Sequence, residues 1–299
     1  MEHWKHYHAP TSVEEAIALL DRYSGVARVI GGGTDLLLDI SQGRCPAPEA
    51  MIDPTRIEGL AGITREDGHI VIGCGATHTM IMHNEEIIRY GTCLAESCGV
   101  IGGPQVRNVA TLAGNVAHAM PAGDGTIGLL ALDGEVETAD DTGRHWTPLA
   151  DAFLGPGLSA IDPYCTLLTR LRFKPTEMLC GSAFYRVMRP QGVALPMISM
   201  AACLQLDGQY DIVAARISIG PAGPIPHLAV KAMEFLVTGP ATKDRFEQAT
   251  EIALGKLTLR DSKYRASKPY REQMIRTQLP RVLALAAERA VKGYGESAR

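Results

Sequence analysis

The chain has 299 residues, 46% of them hydrophobic, enough for one large core or two to three smaller ones at about 100–200 residues per domain. Its 29 basic and 33 acidic side chains leave a formal net charge of −4, which gives neither nucleic acid nor an anionic membrane surface an electrostatic footprint. No run reaches the roughly 20 apolar residues of a membrane-spanning helix, and the polar, histidine-rich start lacks the apolar stretch of a secretory signal; the expectation is a cytoplasmic protein with no integral membrane segment.

In chain order, Ser12-Val-Glu-Glu15 has the spacing of a capping box, and Val13, Ala16, Ile17, Leu19 and Leu20 continue it as a helical stripe to about Tyr23. The β-branched segment Val26 to Ile30 reads as a strand that runs into Gly31-Gly32-Gly33-Thr34-Asp35, after which Leu36 to Ile40 restarts a helix. A strand at Ile70 to Gly73 and helices across Thr77 to Val100 follow. Ile101 to Asn115 reads as a long polar loop, and a helix is expected over Asp124 to Leu132. From Thr166 the pattern changes to three strands, Thr166–Phe173, Val193–Leu206 and Ile212–Ile219. Helices near His227–Val237, Lys243–Leu254 and Tyr270–Lys292 complete an α+β arrangement, and Pro280 is expected to kink or split the last of them.

Two loops carry the chemical signal. Three consecutive glycines at a strand end let backbone N–H groups converge on one concavity, and no side chain blocks a close ligand, so a pyrophosphate fits there; one such triplet alone is as readily a connecting turn. A second small-residue loop, Gln105-Val-Arg-Asn108 through Thr111-Leu-Ala-Gly114-Asn115 to His118, Pro121 and Asp124, is longer than ordinary surface loops. Together the two suit an extended dinucleotide, with Thr111, Asn115 and Asp124 available to phosphate and ribose. Gly73-Cys-Gly75 lacks the third glycine of a Rossmann fingerprint, and there is no P-loop lysine motif.

The seven cysteines are scattered without CxxC pairs and read as reduced, mostly buried thiols. His3, His6 and His8 read as solvated, and His78 and His83 are equally bland; His118 stands out because it lies in the second loop. No Ser/His/Asp or Cys/His arrangement emerges, so no residue is assigned a catalytic role.

The motifs Ile30-Gly-Gly-Gly-Thr-Asp-Leu36 and Gln105-Val-Arg-Asn108…Thr111-Leu-Ala-Gly-Asn115…Asp124 resemble the two flavin loops of the medium, FAD-binding subunits of molybdenum hydroxylases such as xanthine and carbon monoxide dehydrogenases. The resemblance continues through Leu129–Asp133, Pro148–Phe153 and Arg265–Arg271. It implies an α+β architecture: a two-part FAD-binding domain of the p-cresol methylhydroxylase/vanillyl-alcohol oxidase type over residues 1–57 and 58–176, then a C-terminal α+β domain, 177–299, built from a three-stranded antiparallel sheet and a helical bundle. It also implies non-covalent FAD held by Ile30, Gly31, Gly32, Gly33, Thr34, Asp35, Leu36, Arg107, Thr111, Ala113, Gly114, Asn115, His118, Asp124 and Arg186. Two departures stand out: Ala113 replaces the first glycine of the family's Gly-Gly-Asn step, which requires a negative φ there, and Arg186 stands where the family often has lysine. The short, cysteine-free stretch Asp133 to Arg144 leaves no room for the cluster-bearing insertion of some relatives, so Cys93 and Cys98 read as structural.

The function implied is electron transfer. A [2Fe–2S] small subunit would deliver electrons, a molybdenum-cofactor large subunit would oxidise substrate, and NAD or another carrier would accept, with the complex a dimer of heterotrimers. The alternatives are a self-contained flavin-dependent oxidoreductase acting on a small organic substrate and a scaffold that has lost its flavin. Gly32→Val or Gly114→Val is expected to remove flavin while leaving most of the fold.

Overall fold

A computed structural model describes residues 4–175, 178–189, 195–263 and 265–292. The chain opens with β1 (His6–His8), α1 (Val13–Tyr23), β2 (Ala27–Val29), α2 (Leu36–Ser41) and β3 (Ala50–Ile52), and the three strands form a parallel sheet in the order β1-β3-β2. The capping box forms as expected at α1: Ser12 Oγ accepts from Glu15 N at 3.1 Å, and Val13, Ala16 and Leu20 face the core. β3 is wholly buried at the centre of this sheet, yet three residues are too few to display a period.

A second group follows: β4 (Ile63–Glu66), β5 (His69–Gly73), α3 (His78–His83), α4 (Glu85–Tyr90), α5 (Thr92–Gly99), α6 (Pro104–Arg107), α7 (Leu112–Ala117), α8 (Asp124–Ala131), β6 (Glu135–Asp140), β7 (Gly143–Pro148), β8 (Phe153–Gly155), β9 (Leu158–Ser159) and β10 (Leu167–Phe173). Its antiparallel sheet runs β4-β5-β10-β6-β7. β10 was expected to open the C-terminal sheet; instead it lies at the middle of this one, with Leu171 opposite both Ile72 and Val136. The reason is burial: Leu167, Leu168, Leu171 and Phe173 all join the first hydrophobic cluster. The expected long loop from Ile101 to Asn115 contains α6 and the start of α7.

The remaining elements are β11 (Cys180–Val187), β12 (Ile198–Leu206), β13 (Asp211–Gly220), β14 (His227–Leu228), α9 (Val230–Leu236), β15 (Gly239–Pro240), α10 (Lys243–Leu254) and α11 (Lys268–Lys292). The sheet order is β11-β12-β13-β14, antiparallel, with β15 paired to β13. β11 takes the place expected for Thr166–Phe173. The helix expected from His227 starts as β14, and the Val193–Ala194 start of the expected strand lies outside the described residues. α11 runs as one helix across Pro280, so the expected kink or split does not take the form of a split.

The second hydrophobic cluster joins β11–β13 to α9, α10 and α11, while Phe184 and Ala201 on the same strands belong to the first. The C-terminal sheet is thus a shared wall, with α11 packed on β11 and β12 and with α5 and α8 reaching the same strands. Polar groups stitch the seam: Glu96 accepts from Arg289 Nη2 at 2.5 Å and from Phe184 N at 2.9 Å, and Ser218 Oγ donates to Ile127 O.

Candidate functional site

β2 is held against β3 beyond its last residue, since Ile30 N donates to Ile52 O at 2.9 Å, and the glycine loop leaves this fixed point. A Cβ on Gly32 would fall 2.1 Å from Val109 O and 2.6 Å from Ala110 Cα, so the two loops touch backbone to backbone at Gly32. Gly33 has φ +69°, a left-handed conformation that side chains disfavour. Thr34 and Leu36 continue the loop into α2, and Asp35 sits at its N-cap with a carboxylate that meets His118 Nε2 at 3.8 Å across an exposed edge.

The second loop is equally fixed. His78 N donates to Ala110 O and Leu112 N to Ala76 O, tying it to the end of β5, while Thr111 Oγ1 caps α7 by accepting from Gly114 N at 3.0 Å. Ala113 lies inside α7 and is not among the positive-φ residues, so the alanine is accommodated. Asn115 Oδ1 accepts from Thr126 N and Thr126 Oγ1, both at 3.1 Å, which fixes α7 to the first turn of α8. Arg107 does not line the cleft: its Nη1 donates to Ile101 O and Gly102 O at 2.9 Å, and it shapes the loop from behind.

Asp124 and Arg186 form a buried ion pair. Asp124, 4% exposed, accepts from Arg186 Nη1 at 2.8 Å on one oxygen and from Ser199 Oγ at 2.5 Å on the other, and the same Arg186 nitrogen donates to Val100 O at 2.6 Å. Burial pushes the Asp124 carboxyl up to about 6, with Arg186 and Ser199 offsetting only part of that cost. In this structure Asp124 therefore acts first as the anchor of Arg186, rather than offering a free carboxylate to ribose.

The loops and this pair border a cleft of about 710 Å³, within the roughly 300–1,000 Å³ of small-molecule sites. Arg28, Gly31, Gly32, Gly33, Thr34, Asp35, Thr111, Gly114, Asn115, His118, Asp124 and Arg186 all line it. The residues fit FAD: side-chain-free backbone at the loops for a diphosphate, an aliphatic wall of Leu154, Leu158 and Ile161 for rings, and cationic arginines at Arg28 and Arg186.

Sequence reasoning missed Arg28, Cys74, Ser199 and the Leu158–Leu168 wall, none of which carries a local signal. It also read His78 only as a bland side chain, although His78 lines the cleft. His78 is 1% exposed, and burial, then Arg107, lower its pKa to about 4, so it is neutral at pH 7. Burial raises the Cys74 thiol to about 12.

Residues 2–174 match the family described as the FAD binding domain in molybdopterin dehydrogenase, and residues 183–286 match the CO dehydrogenase flavoprotein C-terminal domain. The chain is 28% identical over 287 residues to the xanthine dehydrogenase FAD-binding subunit of Escherichia coli O157:H7, covering 95% of this chain and 96% of that one. It is 28% identical over 284 residues to the carbon monoxide dehydrogenase medium chain of Afipia carboxidovorans, covering 95% and 97%. A solved structure of carbon monoxide dehydrogenase from Hydrogenophaga pseudoflava superposes with a TM-score of 0.89 at 25% identity, over 96% of this chain and 98% of that one. With both halves matched and a cleft whose backbone cradle fits the cofactor, the chain belongs to the FAD-binding medium subunits of the molybdenum hydroxylases, and its cofactor is FAD.

Proposed function

We propose that this chain receives electrons from a [2Fe–2S] subunit and hands them to an external acceptor, NAD or another carrier, beside a molybdenum-cofactor subunit in a cytoplasmic dimer of heterotrimers. The supporting observation is its full-length likeness to chains that are themselves named as subunits of xanthine and carbon monoxide dehydrogenases. Bound FAD would supply the step between single-electron uptake from the cluster and two-electron release to the acceptor. Gly31 to Asp35 and Thr111 to Asn115 hold the diphosphate, and Arg186, locked by Asp124 and Val100 O, presents a fixed positive charge to the flavin end. Attachment is non-covalent, with the diphosphate held by the side-chain-free backbone of the two glycine loops. The first half divides near residue 57, between the parallel sheet and the antiparallel one, and the C-terminal domain starts near residue 177.

Affinity purification of the tagged chain from its native host tests the reading. Two further polypeptides carrying iron and molybdenum are expected, and deletion of this chain should abolish turnover with the physiological acceptor while artificial dyes still oxidise the remaining subunits. An isolated chain that oxidises an organic substrate at about 1 per second or faster would instead establish a self-contained oxidoreductase.

A further inference from the structure

Where β2, rather than the strands that carry Arg186 and Ser199, borders the cleft, an arginine is paired with a tyrosine, and no flavin-loop motif contains either. Arg28 lies on β2, just before the glycine loop, and lines the cleft with Ile161, Pro163, Thr166 and Leu168. Its guanidinium carbon sits 5.1 Å from the centre of the Tyr164 ring, and Nη1 donates to Tyr164 OH at 3.3 Å. Arg28 Nε is buried and has no hydrogen-bond acceptor among the described residues. A buried donor left without an acceptor is costly, and the cost is relieved when a ligand atom accepts from it.

We propose that Arg28, held in place by Tyr164, recognises the adenine of FAD and makes the site select the dinucleotide over FMN. The inference rests on FAD being the cofactor and on Arg186 marking the flavin end. With the two glycine loops holding the diphosphate between them, the Arg28 end is left for the AMP half. The chemistry matches: adenine offers ring nitrogens as acceptors and a flat π-face. A guanidinium held beside one aromatic ring donates in its own plane and can present its face to a second ring. Ile161 and Leu168, both nearly buried, give the apolar side walls that a purine needs. FMN lacks the AMP half and has nothing to place there, so this end contributes to FAD affinity alone.

The test is a fluorescence titration of the full chain, stripped of flavin, with FAD and separately with FMN. Arg28→Met is expected to weaken FAD binding by about tenfold or more and to leave FMN binding within about twofold, as for loss of one hydrogen bond to a charged donor. Arg28→Lys, which keeps the charge but loses the planar fork, should recover only part of the loss. Tyr164→Leu, a change at a side chain 41% exposed, should shift FAD in the same direction even if the Arg28 variants fold poorly. Equal losses for FAD and FMN, or unchanged FAD affinity in both Arg28→Met and Tyr164→Leu, would overturn the proposal while leaving FAD as cofactor. A wild-type chain that binds neither flavin would overturn the FAD assignment itself.

Discussion

A methyl group added at Gly32 would occupy the space of the Val109 carbonyl, whereas one added at Gly114 meets only Thr111 Oγ1, at 3.1 Å. The two glycines therefore answer to different constraints. Gly32 is required by contact between the loops, so Gly32→Ala or Gly32→Val should lose FAD and also destabilise the flavin-free fold by about 1–3 kcal/mol, the usual range for overpacking. The expectation that such a variant keeps most of the fold is revised accordingly. Gly114→Ala, in the first turn of α7, should keep the melting temperature of the flavin-free chain within a few degrees and lower FAD affinity by about tenfold, because its methyl projects into the cleft. Thermal melts and FAD titrations of the two variants separate the cases; a fully stable Gly32→Val chain would sink the loop-contact argument. From the sequence, the triplet could be read as a phosphate-type loop, but its partner Val109 lies in a different loop, and no local pattern reveals that contact.

The elements that were legible are those with a long period or a cap: α1, α10 and α11 sit within two residues of where the apolar spacing and end signals place them. The misreadings share one cause. β11 carries Gly181, Ser182 and Ala183, and it is covered by α11 on one face and α5 on the other, so neither alternation nor an apolar run marks it. Pro280 is expected to kink or split the last helix; it does not split α11, which has Ile275, Leu279, Leu283 and Ala286 fully buried on both sides of it, and that packing holds the helix together. Proline at this point still removes one backbone hydrogen bond and crowds the preceding turn. Pro280→Ala should therefore stabilise the chain by about 1–3 kcal/mol in denaturant unfolding. A loss of stability would mean that α11 is fitted to its sheet through the distortion that the proline imposes.

At the scale of the whole molecule the cleft belongs to neither half alone. Gly31 to Asp35 and Thr111 to Asn115 stand on elements of the first cluster, while Arg186 and Ser199 stand on β11 and β12, which also carry the second. Asp124 accepts from both of those C-terminal side chains, and Glu96 binds Arg289 and Phe184 N across the same seam. Breaking a buried pair of this kind by removing one partner strands a charge out of water, so opening the seam is opposed from both sides. A ligand seated there binds only when the halves are docked, and its binding energy must therefore appear as stability of both together. At a free FAD concentration of about 100 times Kd the gain is about 2.7 kcal/mol, which for a chain of this size is a shift of several degrees. Calorimetry should show one cooperative transition that moves upward as a unit when FAD is added, and Asp124→Ala should reduce both the melting temperature and the size of that shift. Two separate transitions, with only the lower one responding to FAD, would show that the C-terminal sheet takes no part in holding the cofactor and that the Asp124–Arg186 pair is only a local contact.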